Sequence, residues 1–381
     1  MRVLHAVTLH SPTHAFGGPV RVALNLSKGL RARGHEARIV ALGDGFEGAL
    51  PTEVEGVPAE LFQARRFAPL GFSGITSPAL LAGAGRLVRD ADVVHVHLAR
   101  DLVTLPFALA ALRAGRPLVL QTHGMVDPSG RLLAKVLDAL AVRRVLRGAS
   151  AVLYLTEHER AALDEVAGPP GLERTTRLVN GVPAQPQGPG HPGGAPHILY
   201  AARLQARKRP RDFVAAVPEI LRHHPDATFT IAGPDEGELA PVRALIEELG
   251  LKGTVSVPGS LSGPAMLDTL REATVYVLPA VDEPFPMSVL ESLSVGTPVV
   301  ITGSNGLAKD VSRAGAGRVV EGPEELAPAV RELLDPPAHH TAATAAAKLA
   351  AESFSMDAVV DTLLTVYDTA VERGAGAAGE R

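Results

Sequence analysis

The 381-residue chain contains no cysteine. That excludes disulfides, thiolate metal centres and a cysteine nucleophile. No window approaches eighteen consecutive apolar residues, so no membrane-spanning helix is expected. Neither sign of charge is in large excess: the net charge of −4 argues against a dedicated nucleic-acid binder. The opening Met1-Arg2-Val3-Leu4-His5-Ala6-Val7-Thr8-Leu9 lacks the long apolar core and small-residue cleavage site of a secretory leader. It reads as a strand, and a cytoplasmic soluble protein is the expectation. The composition that is present, 46% hydrophobic and 20% charged, is ordinary for a globular protein. The length exceeds what one core usually serves, so two domains are expected.

Short apolar runs alternate with helical patterns along the whole chain. Strands are expected at Val3–Leu9, Glu36–Leu42, Val93–His97, Leu118–Thr122 and Ala151–Leu155, with helices at Val20–Arg33, Pro78–Asp90 and Arg131–Arg147. Thr156 and Glu159 have capping-box spacing. The run from Pro183 to Pro196 is rich in proline and glycine and reads as a linker. The alternation then restarts, with strands at His197–Ala201, Thr228–Ala232, Thr254–Val257, Val275–Leu278 and Val299–Thr302. Helices are expected at Asp212–His223, Pro241–Leu249, Pro264–Arg271 and Ser288–Val295, and the Ala-rich stretch Thr341–Ala351 is helical by propensity. The expected organisation is a first α/β domain over 1–182, a linker over 183–196, a second α/β domain over 197–356, a final helix over 357–373 and a disordered tail over 374–381. Parallel α/β sheets bind ligands at the carboxyl ends of their strands, so chemistry is sought there.

Several groups fall at such ends. Phe16-Gly17-Gly18-Pro19 follows the first strand, where glycines and a helix N-terminus allow a phosphate to approach. It does not match the dinucleotide fingerprint. His123, between Thr122 and Gly124, ends another strand and can hydrogen-bond a ligand. Arg203, Arg207, Lys208 and Arg209 place four cations within seven residues after strand His197–Ala201, which suits a diphosphate. Glu283 and Glu291 flank Phe285-Pro286-Met287-Ser288, and paired carboxylates there can grip the hydroxyls of a polyol.

Other features carry blander readings. Asp90-Ala91-Asp92 imitates a metal motif but precedes its strand. His95 and His97 lie on one strand face, and His97 is placed to line the cleft without ligating a metal. His223-His224 and His339-His340 read as surface pairs. The basic amphipathic stretch from Arg131 to Arg147 is either an ordinary charged helix face or a contact for an anionic membrane surface or phosphorylated acceptor. The basic-aromatic loop Arg65–Phe72 is either a cover for an acceptor site or simply a mobile loop.

Taken together, Gly17-Gly18, Thr122-His123-Gly124, Asn180-Gly181-Val182, the Arg203/Lys208 pair and the Glu283/Glu291 pair resemble the family 4 retaining glycosyltransferases of GT-B fold. The resemblance implies an α/β fold of two doubly wound Rossmann-like domains facing a central cleft, which closes over the donor. It implies transfer of a sugar from a nucleotide diphosphate sugar to a hydroxyl acceptor, either a glycan, a glycolipid or a small metabolite, with no metal or other cofactor. In that family the Glu283 position binds the donor sugar, the turn from Phe285 through Met287 to Ser288 helps hold it, and the Glu291 position binds the ribose. The Arg203 and Lys208 positions hold the diphosphate, the Gly17-Gly18 turn lies close to it, and the His123 position contacts the sugar near the reacting carbon. The final helix is expected to cross back to the first domain. The sequence departs from the common pattern at Ala202, where glycine is frequent, and at Pro183, where an acid is frequent. A sugar-nucleotide epimerase of the same fold and a non-catalytic nucleotide-sugar-binding protein remain as rival readings.

Overall fold

The computed structural model describes residues 1–12, 17–67, 74–188 and 194–379. Two compact units are present: Met1–Gly181 with Met356–Arg381, and Val182–Ser355.

The strands of the first unit are β1 (Arg2–His10), β2 (Glu36–Gly43), β3 (Glu53–Val54), β4 (Val57–Gln63), β5 (Arg65–Arg66), β6 (Ile75–Thr76), β7 (Val93–His97), β8 (Leu118–Gln121), β9 (Ala151–Tyr154) and β10 (Thr175–Arg177). Eight of them form a sheet in the order β10-β9-β8-β7-β1-β2-β4-β3, parallel except for the β3–β4 hairpin. Strands β1 and β7 are buried almost throughout because helices cover both faces. Alternation along each strand then decides which side chain meets which layer. Leu4, Ala6, Val94 and Val96 pack in one core with Leu80, Phe107 and Val145. Val3 and Val93 face the other layer, with Leu26 and Leu30 of helix Gly17–Ala32 and Val360, Leu363 and Tyr367 of the final helix. His5, His95 and His97 share that second face by the same two-residue period.

The final helix runs Met356–Gly379 and belongs to the first unit. Its apolar positions 359, 360, 363, 366, 367 and 370 recur at helical spacing and bury against the sheet and helix Gly17–Ala32. Gly29 makes the close approach possible, since a Cβ there would lie 2.5 Å from Val360 Cγ2. Arg33 bridges Asp357 and Asp361 at the helix start. The tail expected to be disordered is instead helical as far as Gly379, because alanines in Ala375–Ala378 continue the helix past Gly374; residues 380–381 lie outside the described residues. The helix expected over Arg131–Arg147 is present, with a widened turn in its middle. It comprises Leu132–Leu137, a wide π turn at Asp138–Val142, and Arg143–Gly148. The wide turn coincides with Asp138 turning inward to a buried ion pair with Arg100.

The second unit has β11 (His197–Ala201), β12 (Thr228–Ala232), β13 (Val255–Gly259), β14 (Val275–Leu278), β15 (Val299–Thr302) and β16 (Gly317–Val320), in the order β13-β12-β11-β14-β15-β16. All of its neighbouring pairs are parallel. The proposed linker is not a free tether over its first half. Gly188 N–H donates to Val295 O, Arg271 donates to Pro186 O, and Gln187 donates to Ser294 O, so residues 183–188 dock on this unit. Prolines cannot donate, but their carbonyls accept, as Pro186 does here, while Gln187 and Gly188 donate. Residues 189–193 lie outside the described residues. His339 is buried and pairs with Thr274 O at 3.1 Å, contrary to the surface reading; His340 alone of that pair is exposed.

One glycine controls the exit of β11. Gly233 has φ +148°, and a Cβ there would sit 1.9 Å from the carbonyl oxygen of Ala202. Gly233→Ala must therefore move the backbone that carries Arg203. The expected cost is about 3 kcal/mol, read as a lowered urea midpoint; a variant as stable as the parent would contradict the close approach.

Candidate functional site

In the second unit, the turn after β11 and the turn after β14 meet. Val281 N–H donates to Arg207 O at 2.9 Å, and Gly306 N–H donates to Glu283 O at 2.8 Å. These bonds pin Glu283 between two strand ends. Arg207 donates to Glu283 Oε2 at 2.7 Å, and Lys208 Nζ donates to the same oxygen. Lys208 and Glu283 are both buried. Burial lowers the Lys208 pKa, and the Glu283 charge opposes that fall. Two cations on one carboxylate leave a local excess of one positive charge. Among the described residues no protein group bonds Glu283 Oε1. Asp282, at φ +50°, and Arg209, at φ +51°, hold the flanking backbone in the left-handed region. Arg203 is half exposed and pairs with Glu236 at 2.9 Å.

Helix Met287–Ser294 follows, with Pro286 at its N-cap and no capping side chain. Its first N–H groups thus lack a side-chain partner from the cap position. The Phe285 ring is packed edge-on against Phe354, so its side chain belongs to the core. The Ser288 hydroxyl bonds Tyr276 OH at 2.7 Å, and Tyr276 OH also donates to Ala201 O. Burial pushes the Tyr276 phenol up, with smaller contributions from the charges of Glu291 and Glu283, so both carboxylates act on one buried hydroxyl.

In the first unit, Gly17 and Gly18 open the helix that follows β1, and Gly18 has no protein atom within 4 Å of where a Cβ would stand. Phe16 lies outside the described residues. His123 has φ +52° and Gly124 φ +71°. This bend is held by Glu159, whose Oε1 accepts from Thr122 Oγ1 at 2.5 Å and Gly124 N at 2.7 Å. Thr156 accepts from Glu159 N as capping-box spacing predicts, but the Glu159 side chain returns to Leu155 N. The bend at His123 therefore depends on the next helix. His123 Nε2 meets His97 Nδ1 at 2.7 Å, and His97 Nε2 meets His5 Nδ1 at 3.2 Å. His97 is only 1% exposed, so it does not line a cleft as expected; it backs His123 from the interior. Burial lowers the pKa of His5 and of His123 to about 3 and pulls His95 and His97 well below the usual imidazole range.

Comparison with known proteins places the chain in a family. Residues 182–350 match the model described as glycosyl transferases group 1, and residues 17–181 match the glycosyl transferase 4-like domain. D-inositol 3-phosphate glycosyltransferase 1 of Catenulispora acidiphila is 32% identical over 321 residues, covering 77% of this chain and 76% of that protein. The chain belongs to the group 1 glycosyl transferases. A glycogen synthase of Mycobacterium tuberculosis is 32% identical over 299 residues, covering 74% of the glycosyltransferase chain and 70% of its own. Among solved structures, Anabaena Alr3699/HepE in complex with UDP and glucose superposes with a TM-score of 0.74 at 20% identity, covering 97% of this chain and 99% of that one. The fold of the glycosyltransferase is GT-B, built from two α/β units with parallel sheets.

Of the residues singled out in the sequence of this glycosyltransferase, Lys208 and Glu283 come together directly. Arg203 joins neither of them and takes Glu236 instead. Arg207 is the second cation on Glu283; it was visible in the basic run but not distinguishable there from its neighbours. Glu236, Tyr276, Glu159, His5 and Asp101 were missed. Asp101 is buried and accepts from Thr8, Val103 and Thr104, which holds the turn after β7. Burial raises its pKa, and the hydrogen bonds from Thr8, Thr104 and Val103 oppose that. Asp92, by contrast, is ion-paired with Arg2, whose hydrogen bond holds its pKa below the usual carboxylate range. The two-stranded β5–β6 ribbon fixes Arg65 and Arg66, while residues 68–72 of the basic-aromatic loop lie outside the described residues.

Proposed function

We propose that this glycosyltransferase moves a glycosyl unit from a nucleotide diphosphate sugar to a hydroxyl acceptor with retention at the anomeric carbon. The observation that carries the reading is the Glu283 cluster: Arg207 and Lys208 share one carboxylate oxygen and leave the other without a protein partner among the described residues. Excess positive charge suits a diphosphate, and a fixed carboxylate oxygen suits a sugar hydroxyl. In this reading Glu283 Oε1 accepts from the donor sugar and Glu291 from the ribose. The uncapped N–H groups at Met287 and Ser288, after Phe285 and Pro286, face the same sugar. The Ser288 hydroxyl serves Tyr276 rather than the donor.

Arg203, Arg207 and Lys208 hold the diphosphate and need no metal to stabilise its charge as it departs. The bond from the anomeric carbon to the phosphate oxygen breaks, the bond to the acceptor oxygen forms, and the departing phosphate takes the acceptor proton. In the first unit, Gly17 and Gly18 leave room beside the phosphate, and His123 hydrogen-bonds the sugar. UDP-glucose is the first donor to test, because Alr3699/HepE was solved with UDP-glucose. The named relatives act on different acceptors, so the acceptor is sought among inositol phosphates, oligoglucans and lipid-linked glycans.

A donor panel read by release of the nucleoside diphosphate, with and without each acceptor, tests the reading. No release with any pair would sink it, and acceptor-independent epimerisation of the donor would favour the epimerase. Arg203→Ala is expected to raise the donor KM about tenfold, the scale of one charge-assisted bond at a half-exposed site. An unchanged KM would remove Arg203 from the phosphate site.

The second element of the reading is peripheral contact with the inner membrane face. Leu132, Leu133, Val136 and Leu140 are exposed, with Leu132 at 78% and Leu140 at 74%. They fall on one arc at helical spacing, beside exposed Arg131, Lys135 and Arg144. Among the described residues no helix is long and apolar enough to cross a membrane. Leu132→Glu with Leu140→Glu is expected to abolish co-sedimentation with anionic phosphatidylglycerol vesicles. Retained binding by the double variant would refute the contact.

A further inference from the structure

Four histidines come together on one face of the first unit, and their geometry separates two explanations. One ring nitrogen from each of His5, His95 and His97 lies within 4.8 Å of the other two, which has the look of a metal site. The ring planes speak against it. His95 and His97 are parallel within 4° and stacked at 4.7 Å. Lone pairs in stacked parallel planes do not converge on one ion, as tetrahedral coordination requires.

His97 and His123 differ. Their planes also agree within 4°, but the ring centres are 5.0 Å apart while Nδ1 and Nε2 are 2.7 Å apart. The two rings therefore meet edge to edge, with a nitrogen–nitrogen hydrogen bond between them. His5 continues the row, its Nδ1 at 3.2 Å from His97 Nε2 and the ring centres at 5.5 Å. The register of the sheet builds this row. His5 of β1 pairs with His95 of β7, and His97 stands two residues further along the same face.

A neutral imidazole has one N–H and one bare nitrogen. His97 uses both nitrogens within the row, so it donates one way and accepts the other. Two directions are open. In one, His123 donates through Nε2 and the row ends on a His5 Nε2–H. That atom is buried and has no partner among the described residues. In the other, His5 donates to His97 through Nδ1–H, His97 donates to His123 through Nδ1–H, and His5 Nε2 ends as a bare nitrogen. A buried N–H without an acceptor is rarer in folded proteins than an unsatisfied acceptor.

We infer that His5 and His97 are positioning residues that lock His123 with its proton on Nδ1, so that His123 presents a neutral N–H donor to the ligand. This rests on the reading that His123 meets the donor sugar, and it adds that His123 donates to a ligand oxygen and cannot act there as a base. The low exposure of the row keeps it uncharged, and among the described residues no carboxylate bonds to it.

The test is 15N-resolved NMR of the histidine side chains in the full chain, combined with kinetics on UDP-glucose. The wild-type His123 proton is expected on Nδ1; a proton on Nε2 overturns the inference. His97→Phe is expected to release the tautomer and raise the donor KM about tenfold; an unchanged tautomer and KM overturn it. Should His97→Phe fail to fold, the His5 pair decides. His5→Gln keeps an amide donor for His97 and is expected to preserve the His123 tautomer, whereas His5→Leu is expected to lose it; identical behaviour of the two overturns the inference. A visible ligand-field band with Co2+ that His5→Leu removes would make the cluster a metal site and overturn it as well. If the wild type turns over no donor at all, the functional reading fails, while the NMR measurement still decides the tautomer.

Discussion

Glu283→Gln is expected to be about 3–5 kcal/mol less stable than the wild type, because it strands Lys208 as a buried charge without its partner. Lys208→Met is expected to cost much less. In that variant Arg207 still neutralises the carboxylate at 2.7 Å, and the Arg207 side chain is 39% exposed, so its own charge needs little compensation. The asymmetry follows from two cations sharing one anion and would not arise from an isolated pair. Activity should respond differently. Either variant is expected to lose about 10^2–10^3-fold in turnover, since in the proposed reading each removes a charge that acts on the leaving group or the sugar. Urea unfolding and nucleotide release, measured on both variants, separate these effects. Equal destabilisation would show that Arg207 does not share the carboxylate, and full activity in Lys208→Met would take Lys208 out of the phosphate site.

Acid should unfold the protein earlier than its carboxylates alone would require. His5, His95, His97 and His123 have folded pKa values below the ordinary 6.5, and burial is the leading cause in each. Between pH 6.5 and about 3, the unfolded chain binds protons that the folded chain refuses. Stability is therefore complete above pH 6.5 and falls as pH drops. Each fully buried histidine costs about 1.4 kcal/mol per pH unit in that window. The four act in the same direction, so together they make stability fall steeply below pH 6.5. The expected result is cooperative unfolding at mildly acid pH, with net uptake of protons. His95→Phe should reduce the uptake by one and move the transition to lower pH. A thermal midpoint that stays constant from pH 7 to pH 5 would contradict the burial of the row.

The strands were legible where both faces are covered. Val93–His97, His197–Ala201, Thr228–Ala232, Val275–Leu278 and Val299–Thr302 have the same bounds in sequence and structure. Parallel strands buried on both sides read as unbroken apolar runs, so their limits are sharp. Two edge strands were missed for the converse reason. Strand β10 is Thr175-Thr176-Arg177, and β16 begins with Gly317, which lies so close to β15 that a Cβ would meet Val299 O at 2.0 Å. Neither has apolar patterning to announce it. Helix Thr104–Arg113 was missed because it is apolar on most sides, which hides its period.

At the candidate site the residue types were legible and their pairing was not. Glycines at a helix start, cations after a strand and two glutamates around a turn are the residue types from which a nucleotide-sugar site is expected. Sequence could not say that Lys208 would take Glu283, that Arg203 would take Glu236, or that Arg207 would complete the cluster. Those pairings depend on which strand ends lie side by side, and β11 and β14 are adjacent in the sheet although 73 residues lie between Ala201 and Val275. The histidine row shows the same division. The period-two spacing of His95 and His97 put two imidazoles on one face from sequence alone. The parallel register of β1 with β7 added His5, and the left-handed bend at residue 123 turned the fourth ring into line. Local spacing fixes which side chains share a face; only the order of strands in the sheet fixes which of them touch, because hydrogen-bonded neighbours in a parallel sheet are set by packing across the whole core rather than by distance along the chain.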